Sequence, residues 1–355
     1  MGIYIIILVV LLIVGDVLKP NKKLKNKKTY MIFVFFILGT TAAIRSPKVG
    51  IDTMQFYRAF EIIGNMSLNV AINATRYEVG FVMLCKGLNV ITSNPQILII
   101  ITSLFINGVV CLFIYRESKD IVLSSILYIT LNYYFAYMNI MRQAIAICII
   151  IIGYTFFLKK GKKVKFIITA LLAFTFHTTG IIPVLLVLFD KLEYKNKYYA
   201  ITIIGSMIAF LLAPVLFSIV SKLLNSYSGY KDSSFYDSNY FAAVFIYLIN
   251  LTFLTVSFLC NKNKNIELSK MLFISSMAVI TSAIGIRITL IGRMANYFNI
   301  YNIVLLPNAV KNNCDKTTRQ LIYLLTIGFS VAYFLIIMIY RPEWYGAIPY
   351  KTFIN

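Results

Sequence analysis

Long apolar segments joined by short, often lysine-rich loops recur along the 355-residue chain. The clearest are 96–115, 140–158 and 321–340. As helices rising ~1.5 Å per residue, they are long enough to cross the roughly 30 Å hydrocarbon core of a bilayer. With 59% hydrophobic residues and a mean hydropathy of +0.80, the sequence is typical of an all-α polytopic membrane protein.

The lysine clusters at 19–28 and 159–165 predict which loops are cytoplasmic, because basic residues in short loops are retained on that side. Alternating the apolar segments between such loops predicts about 12 crossings in a single transmembrane domain, residues 1–355, with both termini outside. The segments 121–137 and 294–310 are each expected to form one continuous span.

Two apolar segments do not fit a simple crossing. If 77–92 crossed the membrane, the two lysine clusters would lie on opposite sides, so this segment is expected to be re-entrant or interfacial. His177 and Pro183 interrupt 166–190, which is expected to form two short helices that meet outside at His177. The outer loops are predicted at 45–92, which includes the interfacial segment, and at 221–240.

Arginine is distributed in the opposite sense to lysine. Twenty of the 25 lysines fall in predicted inner segments, whereas seven of the nine arginines fall in predicted outer ones. The outward arginines are Arg45, Arg58, Arg76, Arg142, Arg287, Arg293 and Arg341. The planar guanidinium binds phosphate or carboxylate through two parallel hydrogen bonds, which lysine cannot do. The outer face is therefore predicted to bind an anionic ligand, unless these arginines pair with acidic side chains or lipid phosphates.

Four polar residues in the outer segments are candidates for chemistry. Arg142 stands at the head of an apolar run, where a charged side chain is costly to insert. His177 is either a buried structural histidine or a general base near neutral pH. Asp52 suits an N-cap for a helix over 54–63 or faces an outer cavity. Glu78 is an acid/base group, a partner for an arginine, or a residue favoured by a helix dipole.

The formal charge of +21 does not require a nucleic-acid partner, since most of the excess is lysine in short loops that anionic lipid headgroups can neutralise. The chain has one histidine and five scattered cysteines without a CxxC pair. Neither a metal site nor a disulfide framework is predicted, and no cofactor is expected.

The motifs in the outer segments, taken in order, resemble those of the EpsG family of Wzy-type exopolysaccharide and O-antigen polymerases. Those motifs are Arg45 with Gly50-x-Asp52-Thr53-x-x-x-Tyr57, Glu78-x-Gly80-Phe81, Met141-Arg142-Gln143-x-x-Ala146, Phe176-His177, Arg293-x-x-x-Tyr297-Phe298 and Pro349-Tyr350. The resemblance implies a multi-pass bacterial inner-membrane glycosyltransferase of GT-C-like architecture whose active site faces outward. It further implies a substrate of oligosaccharide repeat units carried on undecaprenyl pyrophosphate. A flippase and a chain-length regulator of the same pathway would be its partners.

This resemblance and the residue chemistry assign the candidate residues to two roles. Arginines would stabilise the pyrophosphate leaving group without a metal, and His177 or Asp52 would deprotonate the acceptor hydroxyl. The catalytic set is Arg142, Arg293, His177 and Asp52, and the substrate-binding set is Arg45, Arg287, Glu78, Gln143, Tyr57 and Tyr297.

Two other functions use similar residues. A lipid-linked oligosaccharide flippase or another transporter would also bind a pyrophosphate through arginines. Transporters commonly show repeat symmetry and access from both faces, whereas no repeat is evident here and the candidate groups share one predicted side. A membrane glycan acyltransferase would use His177 as its base, although the sequence indicates no route for an acyl donor.

Overall fold

The computed structural model describes residues 1–223, 240–261 and 265–354, and in these ranges the regular structure is helical, without a β-strand. The α-helices are α1 Gly2–Leu18, α2 Leu24–Ala43, α3 Thr53–Asn65, α4 Leu68–Ala74, α5 Val79–Ile91, α6 Gln96–Glu117, α7 Ile121–Thr130, α8 Tyr133–Asn139, α9 Met141–Phe156, α10 Lys163–Phe176, α11 Asn196–Leu223, α12 Tyr240–Leu259, α13 Ile266–Arg287, α14 Thr289–Gly292, α15 Asn296–Asn299, α16 Asn302–Asn313 and α17 Lys316–Tyr340. A 3₁₀ helix spans Thr178–Phe189. The all-α prediction is confirmed, and most of the 221–240 loop lies outside the described residues.

Six helices in the described part of the chain are long and apolar enough to cross a membrane: Gln96–Glu117, Met141–Lys160, Asn196–Val215, Phe241–Leu259, Ile266–Arg287 and Lys316–Tyr340. The bent pair α7 and α8 makes a seventh if it counts as one span. Helix α1, with 17 residues, is apolar but shorter. The structure thus supports a membrane protein, while 12 crossings and a GT-C-like architecture stay predictions.

Apolar side chains cover much of the outer surface of these helices. On α11, Ile204 and Leu211 are 57% and 65% exposed. Large apolar side chains exposed along a whole helix are unfavourable in water but suit contact with lipid tails. This surface agrees with a position inside a bilayer.

The chain divides into two compact units, of which the first comprises residues 1–181 and 317–355 and the second 182–316. Within the first unit, the loops predicted to be cytoplasmic contact one another. Asn21 Nδ2 donates to Asp120 Oδ1 at 2.8 Å, and Lys27 Nζ donates to the Ser118 carbonyl at 3.2 Å. Lys159 Nζ also donates to Glu117 at 2.8 Å. We call this the lysine end of the first unit.

The segments predicted to lie outside meet at the opposite ends of the same helices, which we call the arginine end. There the segment 341–354 packs on the loop that follows α2. Ser46 N–H donates to the Lys351 carbonyl and Gly50 N–H to the Gly346 carbonyl, both at 2.8 Å. Gly50 has φ +102°, a left-handed conformation that glycine adopts without strain, and it lies in the turn that precedes α3. The contacts at both ends agree with the topology predicted for this unit.

Two segments predicted as continuous spans are broken. The prediction of one helix over 121–137 is wrong, because Asn132 adopts φ +63° and separates α7 from α8 with a bend of 52°. Asparagine is among the few side chains that tolerate this left-handed region, so the break has a local cause. The segment 294–310 is likewise divided, here into a 3₁₀ turn and the helices α15 and α16.

The structures of the two irregular segments, 77–92 and 166–190, agree more closely with the predictions. Helix α5 within 77–92 has only 13 residues, about 20 Å at the α-helical rise, which is too short for a full crossing. The segment 166–190 forms helix α10 and the 3₁₀ helix Thr178–Phe189, which meet at His177 as predicted.

Candidate active site

Three of the predicted site residues, Glu78, Arg142 and His177, form one cluster at the arginine end. Arg142 Nη1 forms an ion pair with Glu78 Oε2, and His177 Nδ1 lies 3.1 Å from Glu78 Oε1. The Thr178 N–H also donates to Glu78 Oε1, at 3.3 Å. The side chains of Arg142, Glu78 and His177 are 22%, 12% and 21% exposed, so the cluster is sheltered but open to a ligand. Of the interpretations of Glu78 from the sequence, the structure shows the pairing with an arginine.

Each member of the cluster stands at a helix end. Glu78 is the N-cap of α5, Arg142 lies in the first turn of α9, and His177 is the C-cap of α10. His177 has φ −157° and ψ 127°, an extended conformation that ends the helix. Helix ends leave backbone groups unpaired and break the side-chain periodicity, so polar side chains from three helices can meet there.

Gly80 allows the close approach of α5 and α10 that brings Glu78 to His177. A Cβ built on Gly80 would lie 2.7 Å from the Thr175 carbonyl oxygen and 2.9 Å from its carbon, closer than real Cβ contacts. Thr175 is two residues before His177, and Gly80 is two residues after Glu78. Only glycine therefore fits at this crossing without moving the backbone of α10.

Replacing Gly80 with alanine is expected to push α5 away from α10 and to lengthen the contact between Glu78 and His177. Overpacking of this kind costs about 1–3 kcal/mol, and the added helix propensity offsets up to about 1 kcal/mol of it. The measurement is the thermal unfolding of the detergent-purified variant together with its polymer yield. Gly87 provides the control on the same helix, since nothing lies within 4 Å of a Cβ built there. Equal behaviour of Gly80→Ala and Gly87→Ala would contradict the close-approach role.

The two partners of Glu78 keep it ionised. Burial would raise the pKa of the Glu78 carboxyl, but the hydrogen bond from His177 and the charge of Arg142 hold the pKa below its usual range. A carboxylate only accepts hydrogen bonds, so His177 Nδ1 must carry the hydrogen. Nε2 of the neutral ring is then the acceptor, which is the arrangement a general base requires.

The stability contributed by Glu78 is expected to depend on pH in one direction. Since the folded-state pKa is depressed, the contribution is present above the ordinary pKa of about 4.5 and is lost as the pH falls through the lower folded value. Glu78→Gln should lower the free energy of unfolding by about 1.5–3 kcal/mol at pH 7, because it removes charge-assisted hydrogen bonds. Thermal unfolding of wild type and variant between pH 7 and pH 3.5 tests this. A difference that stays constant with pH would contradict the ionised state of Glu78.

Aromatic rings support the arginine of the cluster. The guanidinium carbon of Arg142 lies 5.1 Å from the Tyr77 ring centroid and 5.9 Å from that of Phe56. Tyr77 in turn packs on Phe81 at 5.3 Å. Such cation–π contacts fix a guanidinium as well as stabilise it. Tyr77 and Phe56 are not among the predicted site residues, and the position of Tyr77 directly before Glu78 is the sequence signal that was available.

Arg45, predicted to bind substrate, is instead buried. Arg45 is only 2% exposed to solvent. Its Nη1 donates to Ser103 Oγ at 2.6 Å and to the Ala42 carbonyl. Its Nη2 donates to the Met138 carbonyl at 3.3 Å. In this geometry Arg45 joins the end of α2 to α6 and α8, so we do not include it among the groups that contact substrate.

The other predicted residues of the first unit lie on α3 and α9. Asp52 is the N-cap of α3, as expected for that position, but its side chain makes no capping hydrogen bond. Tyr57 is half-buried on α3. Gln143 follows Arg142 on α9 and is 3% exposed, so it faces the protein interior. Their proposed roles stay predictions.

The predicted residues of the second unit occupy a different setting. Arg293 lines an open cavity of about 180 Å³ together with Ser282, Thr289 and Asn296. The Arg287 guanidinium carbon lies 5.4 Å from the Phe210 ring centroid. Tyr297 is fully buried, which leaves no exposed surface for direct contact with a ligand.

Comparison with known proteins gives one match. The sequence profile described as the EpsG family matches residues 28–352, nearly the whole chain. The match contains all three residues of the cluster and the cavity around Arg293. No curated protein and no solved structure matches.

Proposed function

The chain belongs to the EpsG family, and on this basis we propose that it polymerises an exopolysaccharide at the outer face of the bacterial cytoplasmic membrane. The family and the apolar helices support a membrane protein of polysaccharide polymerisation, a glycosyltransferase-like activity. Its substrate is a repeat-unit oligosaccharide on undecaprenyl pyrophosphate. The observation that carries the proposal is the contact of a candidate base, His177, and a candidate phosphate ligand, Arg142, with the same carboxylate.

The reaction joins the reducing end of one glycan to a hydroxyl of another. His177 Nε2 takes the proton of the acceptor hydroxyl as the oxygen bonds to the anomeric carbon of the donor. The bond from that carbon to the pyrophosphate breaks, and the electron pair leaves with the lipid pyrophosphate. The Glu78 carboxylate stabilises the imidazolium that forms and keeps Nδ1 protonated.

Arg142 stabilises the negative charge that develops on the leaving group. Its ion pair with Glu78 uses Nη1, and a guanidinium has five N–H donors, so others are left for a phosphate. Arg293 lies in the second unit, and its role as a phosphate ligand stays a prediction. Because arginine carries the charge compensation, the proposed mechanism needs no divalent cation.

Purified protein in lipid nanodiscs and lipid-linked repeat unit provide the test. A ladder of products that each differ by one repeat unit supports the polymerase. Transfer of labelled substrate across a proteoliposome membrane, without lengthening of the glycan, would indicate a flippase instead of a polymerase. If an acyl donor is supplied and the product is an acylated glycan of unchanged length, the protein is an acyltransferase instead of a polymerase.

A further inference from the structure

A pocket of about 280 Å³ lies at the arginine end, beside the cluster. Its walls come from one face of α3 and from the turn between α4 and α5, and its floor includes the buried Ala59 and Ile63. Gln55 and Arg58 stand exposed at its rim, and Tyr77 closes one side. The pocket therefore combines an apolar floor with polar groups at its edge.

Tyr77 lines the pocket and also contacts Arg142 of the cluster. Its ring lies 5.1 Å from the guanidinium carbon of Arg142, and the next residue, Glu78, pairs with that arginine. Arg76 also places its guanidinium carbon 5.7 Å from the same ring. A group bound in the pocket would thus rest against the residue that supports Arg142.

The lining fits a sugar ring. A pyranose presents C–H groups on its faces and hydroxyls at its edges, which matches an aromatic and aliphatic surface bordered by amide and guanidinium donors. Ligand pockets are typically about 300–1,000 Å³, so a volume of about 280 Å³ suits one or two rings rather than a long oligosaccharide. A lone phosphate would gain nothing from the apolar floor, and a lipid tail would leave the rim donors desolvated.

We propose that this pocket is the sugar-binding subsite for the acceptor glycan, and that Tyr77 is a positioning residue that links it to Arg142. The proposal rests on the polymerase function given above. A sugar held against Tyr77 contacts the residue that directly precedes Glu78, and the same contact restrains Arg142. The subsite thereby aligns the attacking hydroxyl with Arg142, which stabilises the departing pyrophosphate.

The test separates binding from chemistry by using free glycan. The probe is the oligosaccharide released by mild acid from the lipid-linked repeat unit, titrated against full-length protein in nanodiscs. The double variant Gln55→Ala, Arg58→Ala removes rim donors on an exposed surface and should weaken binding about tenfold. It should raise the half-saturating acceptor concentration by a similar factor with little change in the maximal rate. Arg341→Ala is the control, an arginine 56% exposed at the same end but outside the pocket.

Two further variants address Tyr77. Tyr77→Phe keeps the ring and should retain most of the maximal rate, whereas Tyr77→Ala should lower both glycan affinity and the maximal rate. If Tyr77→Ala changed only the thermal stability, a positioning role would be excluded. Unchanged binding in the double variant would overturn the subsite.

The outcomes also separate the subsite from the polymerase. Wild-type protein that binds the glycan through Gln55 and Arg58 but forms no ladder would support the subsite and refute the polymerase. Wild-type protein that forms ladders while the double variant binds and polymerises normally would refute the subsite alone.

Discussion

Replacing Arg142 with lysine is expected to reduce polymer formation about 10²–10³-fold, the usual effect of removing one transition-state hydrogen-bond donor. Lysine keeps the charge, but it lacks the planar pair of donors for a phosphate and the flat surface that stacks on Tyr77. The ion pair with Glu78 can still form, so the protein should fold. The measurement is product formed per unit of purified enzyme, resolved by chain length.

Arg116 offers a matched control for this substitution. Its guanidinium carbon lies 4.9 Å from the Phe156 ring centroid, so Arg116→Lys loses the same kind of aromatic contact. It stands near the end of α6, at the lysine end and far from the cluster. Arg116→Lys should make polymer of normal amount and length. If Arg142→Lys did the same at equal expression, the leaving-group role of Arg142 would be wrong.

The second large effect is expected at His177. His177→Gln should lower the rate about 10²–10⁴-fold, because an amide can donate to Glu78 but cannot take the proton of the acceptor hydroxyl. Steady-state rates of both proteins, measured per unit of purified enzyme, provide the test.

Asp52 is the competing candidate for the base, and Asp52→Asn distinguishes the two. If the base is His177, Asp52→Asn should retain its activity, and added imidazole should partly restore His177→Ala. Normal rates in His177→Gln with loss in Asp52→Asn would transfer the role of base to Asp52.

The grouping of loops at the two ends of the first unit was predictable because it depends on simple counts of charge. Each lysine-rich loop marks its own side, and the segments that this rule groups together are the ones in contact at the lysine end. The arginines at the other end could be recognised as exceptions to the same rule. No contact between distant residues was needed for either inference.

The internal breaks of the spans could not be predicted in the same way. Hydropathy averages over a window, and apolar or aromatic residues predominate on both sides of Asn132. A single residue at φ +63° changes the direction of the chain without changing that average. Asparagine tolerates this conformation but does not require it, so its presence alone is a weak signal.

The burial and the partners of single polar residues could not be predicted from the sequence either. Arg45 looks in sequence like the other outward arginines, and its partner Ser103 lies 58 residues away. Glu78 is 64 residues from Arg142 and 99 from His177. Composition and spacing say which groups share a side of the membrane, whereas the packing of the helices decides which of them touch.

The packing of residues 341–354 on the loop after α2 has a consequence for how the chain is made. Tyr350 donates to the Thr41 carbonyl at 2.8 Å, and Phe353 N–H donates to the Ile44 carbonyl at 3.0 Å. During synthesis, α2 and its loop enter the membrane long before 341–354 leaves the ribosome. The loop that holds Arg45 therefore gains its backbone hydrogen bonds to Gly346 and Lys351 only after residues 341–354 have been made. A chain whose translation stops before residue 341 lacks the carbonyls that accept hydrogen bonds from Ser46 and Gly50.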